Sequence, residues 1–172
     1  MDIRIETPNL LLIAATKDMM QSALEANEQL ANNLNVKVPD SWTEMGTGPL
    51  VYTLEKLSSG EDEYGWWMYF PVHKKDNSLI GSGGYKGKPK DGTVEIGYEI
   101  APAYRNKGLA TEYAQALIDR AFSFPEIHTV LAHTLAADNA STSVLTKCGF
   151  TKTEEINDPD DGLIWKWELK RK

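Results

Sequence analysis

The sequence predicts a mixed α/β fold, a largely antiparallel sheet with one parallel crossover, in a single domain spanning residues 1–172. Three observations lead there. Thr93 to Ala101 alternates: Val94, Ile96, Tyr98 and Ile100 face one way, Glu95, Gly97 and Glu99 the other, which is the period of a strand. Ala110, Ala114, Leu117 and Ala121 then recur at helical spacing over about Gly108 to Phe122. Thr129 to Thr134 reads as a strand again, so strand, helix and strand follow in the order of a parallel crossover. A length of 172 residues suits one core, which commonly spans about 100–200 residues.

The remaining elements follow in chain order. Leu10 to Ala14 is an apolar run read as the first strand. Thr16 caps one helix over about Lys17 to Leu30. Asn32 to Pro49 carries Pro39, Gly46, Gly48 and Pro49 with little periodicity, and reads as a mobile loop. A short helix, Leu50 to Leu57, stops at Ser58-Ser59-Gly60. Trp66 to Val72 and Leu79 to Tyr85 are strands of a meander, and Gly81, Gly83 and Gly84 inside the second imply a bulge or a close backbone approach. Lys90-Asp91-Gly92 is a hairpin turn. Pro125 ends the long helix, a further helix over about Ala140 to Lys147 stops at Gly149, and Phe150–Ile156 with Leu163–Leu169 form a closing hairpin.

Composition narrows the function. The formal net charge is −7, whereas a nucleic-acid or anionic-membrane binder is normally basic, so neither partner is expected. The one cysteine, Cys148, allows no disulfide framework, and the three histidines suggest no metal site. The N-terminal residues lack the apolar run of a signal peptide and no stretch approaches the ~18 apolar residues of a membrane span, so the expected location is cytoplasmic.

The chemistry concentrates in Arg105-Asn106-Lys107-Gly108-Leu109-Ala110, a basic, glycine-containing loop between a strand and a helix. A helix start offers unpaired amide hydrogens and a positive dipole end, both suited to phosphate. Gly108 clears the space where backbone must approach an oxygen, Arg105 and Lys107 add charge, and the small Ala110 lets a bulky group lie on the helix start. The Walker spacing and the three glycines of a dinucleotide fingerprint are both absent.

This segment resembles the Arg/Gln-x-x-Gly-x-Gly/Ala loop of the GNAT N-acetyltransferase superfamily. The flanks, Val94-Glu95-Ile96-Gly97-Tyr98, Ala110-Thr111-Glu112, Asn139-Ala140-Ser141 and Val144-Leu145-Thr146-Lys147-Cys148-Gly149-Phe150, look like its ribosomal-protein N-terminal-amine acetyltransferases. The resemblance runs from about Leu10 to the C-terminus and is tightest over residues 94–150. It implies a sheet whose parallel strand pair splays apart, helices on both faces, and acetyl-coenzyme A as cosubstrate without a metal.

The resemblance also implies roles. The backbone of Arg105, Asn106, Lys107, Gly108, Leu109, Ala110 and Thr111 would hold the pyrophosphate. A backbone amide among Glu99, Ile100 and Ala101 would polarise the thioester carbonyl. Glu95 would be the general base, with Glu99 its alternative. Ser141 would protonate the departing thiolate, or cap a turn. Asn139 would contact the pantetheine, or cap the helix it precedes. The acceptor would be a primary amine: a peptide N-terminus, a polyamine or another small amine. Trp42 is the aromatic expected to touch it, Lys86, Lys88 and Lys90 form either a solvated turn or a phosphate contact, and Asp40, Glu44, Asp158, Asp160 and Asp161 would form an acidic rim. The same loop fits two other readings, a non-catalytic acyl-coenzyme A sensor and a nucleotide-binding domain. A homodimer is compatible with the sequence, which does not determine the oligomeric state.

Overall fold

The computed structural model describes residues 2–172. β1 (Arg4–Glu6) and β2 (Leu10–Ala14) form a hairpin, β2 pairs antiparallel with β3 (Tyr69–His73), and β3 with the short β4 (Ser78–Leu79). β5 (Gly81–Tyr85), β6 (Thr93–Ile100), β7 (Thr129–Leu135), β8 (Thr151–Asp158) and β9 (Gly162–Lys170) make a five-stranded sheet in the order β5-β6-β7-β9-β8. Tyr85 N and Gly87 N donate to the carbonyls of Trp67 and Trp66 (3.0 and 3.1 Å), which joins the two sheets edge to edge. The single strand expected from Leu79 to Tyr85 is therefore corrected to two, on either side of Ile80. The glycines explain the tight junction: a Cβ on Gly84 would lie 2.1 Å from the Trp67 carbonyl oxygen.

Both faces of the sheet are covered, which two-sided burial along the strands requires. Leu10, Leu12, Ala14 and Tyr69 pack with α4 (Leu109–Phe122) on one face, while Ile13, Phe70 and Val72 pack under α1 (Lys17–Glu25), α2 (Asn27–Leu34) and α3 (Gly48–Ser58) on the other. α4 buries Ala114, Leu117 and Ala121 of the predicted stripe completely, leaves Ala110 only partly buried, and adds Tyr113. α5 (Ala140–Lys147) ends as predicted, with Gly149 just beyond it at φ 94°.

The N-terminal half departs from the sequence reading. The helix expected over Lys17 to Leu30 breaks at Ala26, which is extended (φ −172°, ψ 153°). The break frees Asn27 to donate its Nδ2 to the carbonyls of Pro39 (3.0 Å) and Trp42 (2.9 Å). The expected mobile loop is thereby pinned. Leu79 N donates to Lys37 O at 2.8 Å, and Trp42, only 9 % exposed, donates Nε1–H to the Gly81 carbonyl at 2.6 Å. These anchors are single residues rather than a repeating face, so they leave no periodicity to read.

β6 and β7 run parallel but pair only over Thr93–Glu95 and Thr129–Leu131. Beyond that point β7 continues to pair with β9 and β6 with β5, so the two strands part. The splayed parallel pair is thus present.

Candidate functional site

The loop after β6 turns through Pro102–Tyr104 and enters α4 with Asn106 (φ 63°) and Gly108 (φ 76°) in the left-handed region. These angles point successive amides outward, and among the described residues none of the amides of 106–111 donates to a protein acceptor. A Cβ on Gly108 would meet nothing within 4 Å, so the backbone there borders open space. Leu109 is buried and roots the helix start in the core. This is a cradle suited to an anion, built from free amides and a helix dipole. Arg105 serves the loop itself: its Nε donates to Ile100 O (2.7 Å) and its Nη2 to Glu44 Oε2 (3.0 Å). Lys107 lies 5.5 Å from the Tyr104 ring centre.

The backbone of β6 decides which amides face the gap. Glu95 O accepts from Lys86 N (2.9 Å) and Ala101 N donates to Ile80 O (2.7 Å), so odd-numbered residues of β6 direct their polar groups toward β5. By the alternation of an antiparallel ladder, Glu99 and Ala101 are corrected as candidate oxyanion donors. The amide of Ile100 remains, and that of Tyr98 joins it.

A cavity of about 670 Å³ opens in this gap beneath α3. Met45, Tyr52, Trp67 and Leu145 supply apolar walls, while Lys86, His133, Thr134 and Ser141 supply polar ones. Met45, Gly48 and Pro49 of the poorly periodic 32–49 segment and Tyr52 and Thr53 of the helix after it therefore shape it, but Trp42 does not. Trp42 packs on Phe70 (5.9 Å between ring centres) and borders a separate cavity of about 130 Å³, which corrects the expectation that it touches an acceptor.

Glu95 lies against two residues that line the larger cavity, Lys86 and His133. Its Oε2 accepts from Lys86 Nζ (2.9 Å) and lies 3.0 Å from His133 Nδ1. Burial raises its carboxyl, but the Lys86 ammonium and His133 outweigh this, and the net pKa falls below the ordinary 4.5. Sequence reasoning missed both partners. Only the register supplies the signal: the parallel pairing sets Glu95 beside Leu131, and His133 shares Leu131's face. Lys86 and Lys88 are both exposed, as a solvated turn requires; Lys86 nevertheless reaches Glu95, and Lys88 pairs with the exposed Asp62 at 2.7 Å.

Glu99 is not brought to this cluster. Four strand residues away, about 13 Å along β6, its Oε1 accepts from Thr43 Oγ1 (2.9 Å) and Ser82 Oγ (3.1 Å) beside the smaller cavity. Ser141 lines the main cavity, and its carbonyl accepts from Tyr98 Oη (3.2 Å), which ties the first turn of α5 to β6. Asn139 caps α5: its Oδ1 accepts from Thr142 N (3.0 Å), and Thr142 Oγ1 accepts from Asn139 N (2.9 Å). Cys148 is half-buried outside the cavity, with its thiol raised by burial. The acidic rim is dispersed: Glu44 is paired with Arg105, Asp158 accepts from the amides of Asp160 and Asp161, and none of the five carboxylates lines the main cavity.

Comparison with known proteins agrees with this fold. The chain is 25% identical over 150 residues to the uncharacterized N-acetyltransferase YjdG of Bacillus subtilis, covering 86% of this chain and 89% of that one. Its fold matches RimL, a ribosomal L7/L12 alpha-N-protein acetyltransferase solved with coenzyme A, at a TM-score of 0.70, 16% identity and 98% coverage of both chains. It also matches a spermidine N-acetyltransferase SpeG chimera from Vibrio cholerae and hSSAT at a TM-score of 0.68, 15% identity and coverage of 94% and 95%. The family model described as the acetyltransferase (GNAT) domain spans residues 10–151, so the chain belongs to that family and is an acetyl-coenzyme A-dependent acyltransferase.

Proposed function

We propose that the chain moves the acetyl group of acetyl-coenzyme A directly onto a primary amine, a peptide N-terminus or a small amine such as a polyamine, within a ternary complex. The observation that carries this reading is the cavity opened where β6 and β7 part, with the amide cradle of 106–111 beyond the end of β6 and Glu95 near its start. The cradle holds the pyrophosphate, and the pantetheine runs into the gap along the amides of Tyr98 and Ile100. There an N–H meets the thioester oxygen as it gains charge. Asn139 stands at the N-terminus of α5, where its free Nδ2 can reach the pantetheine.

The acceptor enters the cavity under α3. Its ammonium has no lone pair until it sheds a proton, and the Glu95 cluster is where proton removal is organised. The Ser141 hydroxyl relays the nitrogen's proton to the leaving thiolate, accepting one as it gives its own. No thiol lines the cavity, since the chain's one cysteine is Cys148, so an acetyl-cysteine intermediate has no candidate and direct attack is favoured. RimL and the spermidine acetyltransferase, both of this fold, are named for a protein N-terminus and a polyamine, so the fold serves either kind of acceptor.

Thiol release measured against a panel of amines tests the proposal. Release that depends on an added primary amine is expected. Tight coenzyme A binding without amine-dependent release would overturn it in favour of a sensor.

A further inference from the structure

We propose that His133 is the general base of the transfer, its Nε2 taking the proton of the acceptor's ammonium while Glu95 orients the ring from behind. This rests on the acetyl-transfer reading above and names the group that performs its first step.

His133 projects from β7 into the cavity just beyond the last residues that β6 and β7 pair, Glu95 and Leu131. Its Nδ1 lies 3.0 Å from Glu95 Oε2. An ionised carboxylate only accepts hydrogen bonds, so Nδ1 carries the hydrogen and the neutral ring keeps its lone pair on Nε2. Among the described residues Nε2 has no protein partner. A carboxylate behind an imidazole fixes its tautomer and stabilises the imidazolium as it forms.

Glu95 is the poorer base. The Lys86 ammonium lies 2.9 Å from the same oxygen, and the carboxyl is held below 4.5. Taking a proton from an ammonium of pKa about 8–10 is uphill for a carboxyl held that low, whereas the His133 ring presents a lone pair that no cation among the described residues engages.

The charged and titratable groups facing His133 are few. Glu95 faces it from β6 and Lys86 from the end of β5. Lys166 lies directly opposite on β9, with Glu168 one ladder step away, and Lys166 pairs with Glu154 of β8 at 3.7 Å. Asp158 lies at the end of β8, its carboxyl held low by the amides of Asp161 and Asp160 and, less, by His133. The phenols of Tyr52 on α3 and Tyr98 on β6 share the cavity.

The step balances. The ammonium gives one proton to Nε2, its freed lone pair attacks the carbonyl carbon, and the C–N bond forms. Collapse of the intermediate breaks the C–S bond, the nitrogen's second proton reaches the thiolate, and His133 returns its proton to water.

The test follows kcat against pH from 5 to 9 at saturating acetyl-coenzyme A and acceptor, with coenzyme A affinity measured by calorimetry. The wild-type chain should lose activity on the acidic side as an imidazole protonates, at a position that stays put among acceptors of different amine basicity. His133→Asn keeps a donor for Glu95 but removes the base. It should lose 100-fold or more in kcat and the acidic limb with it, while coenzyme A affinity stays within twofold. Glu95→Gln should keep an acidic limb, moved to lower pH because the imidazolium has lost its carboxylate. A His133→Asn variant within threefold of wild-type kcat, or with the limb unmoved, overturns the assignment while leaving acetyl transfer intact. A wild-type chain that binds coenzyme A yet acetylates no amine overturns the transfer reading, and the base with it.

Discussion

Replacing Gly108 by valine separates the loop's two tasks, because the structure assigns them different costs. At φ 76° a side chain is strained, which costs about 1–2 kcal/mol for an L-residue in the left-handed region. The new Cβ touches nothing within 4 Å, so no clash adds to this. Against a typical stability of about 5–15 kcal/mol the chain still folds, with Tm lower by roughly 2–8 °C. Binding suffers more. The valine fills the space beside the free amides of 106–111, and losing two charge-assisted hydrogen bonds to phosphate, each worth about 1.5–3 kcal/mol, weakens Kd by roughly 10²–10⁴-fold. Calorimetry with coenzyme A, run beside thermal melts, reads both effects. Gly108→Ala lacks the β-branch that aggravates strain at positive φ, so its Tm should fall no further than that of the valine variant while its affinity lies between wild type and valine. A valine variant whose Kd stays within threefold of wild type would refute the reasoning and move the pyrophosphate elsewhere.

Glu95→Gln removes the carboxylate that orients His133 and should lower turnover by up to about 10⁴-fold with little change in coenzyme A affinity, as steady-state kinetics beside calorimetry would show. Trp42→Phe removes the 2.6 Å bond to the Gly81 carbonyl and should cost about 1–3 kcal/mol, a fall in Tm of roughly 2–12 °C in a melt. Glu112 ties α4 to the β1–β2 turn by accepting from Thr7 Oγ1 and from Asn9 N and Nδ2 (both 2.8 Å). Burial raises its carboxyl, yet the hydrogen bonds from Thr7, Asn9 and Leu10 outweigh this and the net pKa lies below 4.5. A lowered folded pKa stabilises above the unfolded value and ceases to as pH falls through the folded one. Glu112→Gln should therefore be less stable than wild type at pH 7 and approach it as pH falls through the lowered folded pKa in denaturant titrations.

How much of the site could be read in advance depended on where its atoms come from. The anion cradle was legible because it is one continuous segment: a glycine at a helix start frees amides whatever packs around it. Glu95 was legible as a carboxylate on the strand leading to that loop. His133 and Lys86 were not, because only the β6–β7 register and the β5–β6 pairing bring them to Glu95, from residues 38 and 9 positions away in the chain. The amides of Glu99 and Ala101 were misjudged because the direction of a strand's hydrogen bonds follows from its neighbour, which the alternation of side chains does not reveal.

By itself the sequence determined the elements whose periodicity is local: β6, α4, β7, α5 and the glycine stop at Gly149, and with them the crossover that defines the family. Tertiary structure decided the rest. It split α1 from α2 so that Asn27 could hold the 39–42 segment, buried Trp42 against Gly81, and divided the glycine-rich strand at Ile80 to join two sheets. It also parted β6 from β7 after Glu95, leaving unpaired backbone and a cavity between them. Local periodicity reports which way one element faces. The pairing of elements distant in sequence is set by how their buried faces and backbone groups satisfy one another, and that information exists only once the chain has folded.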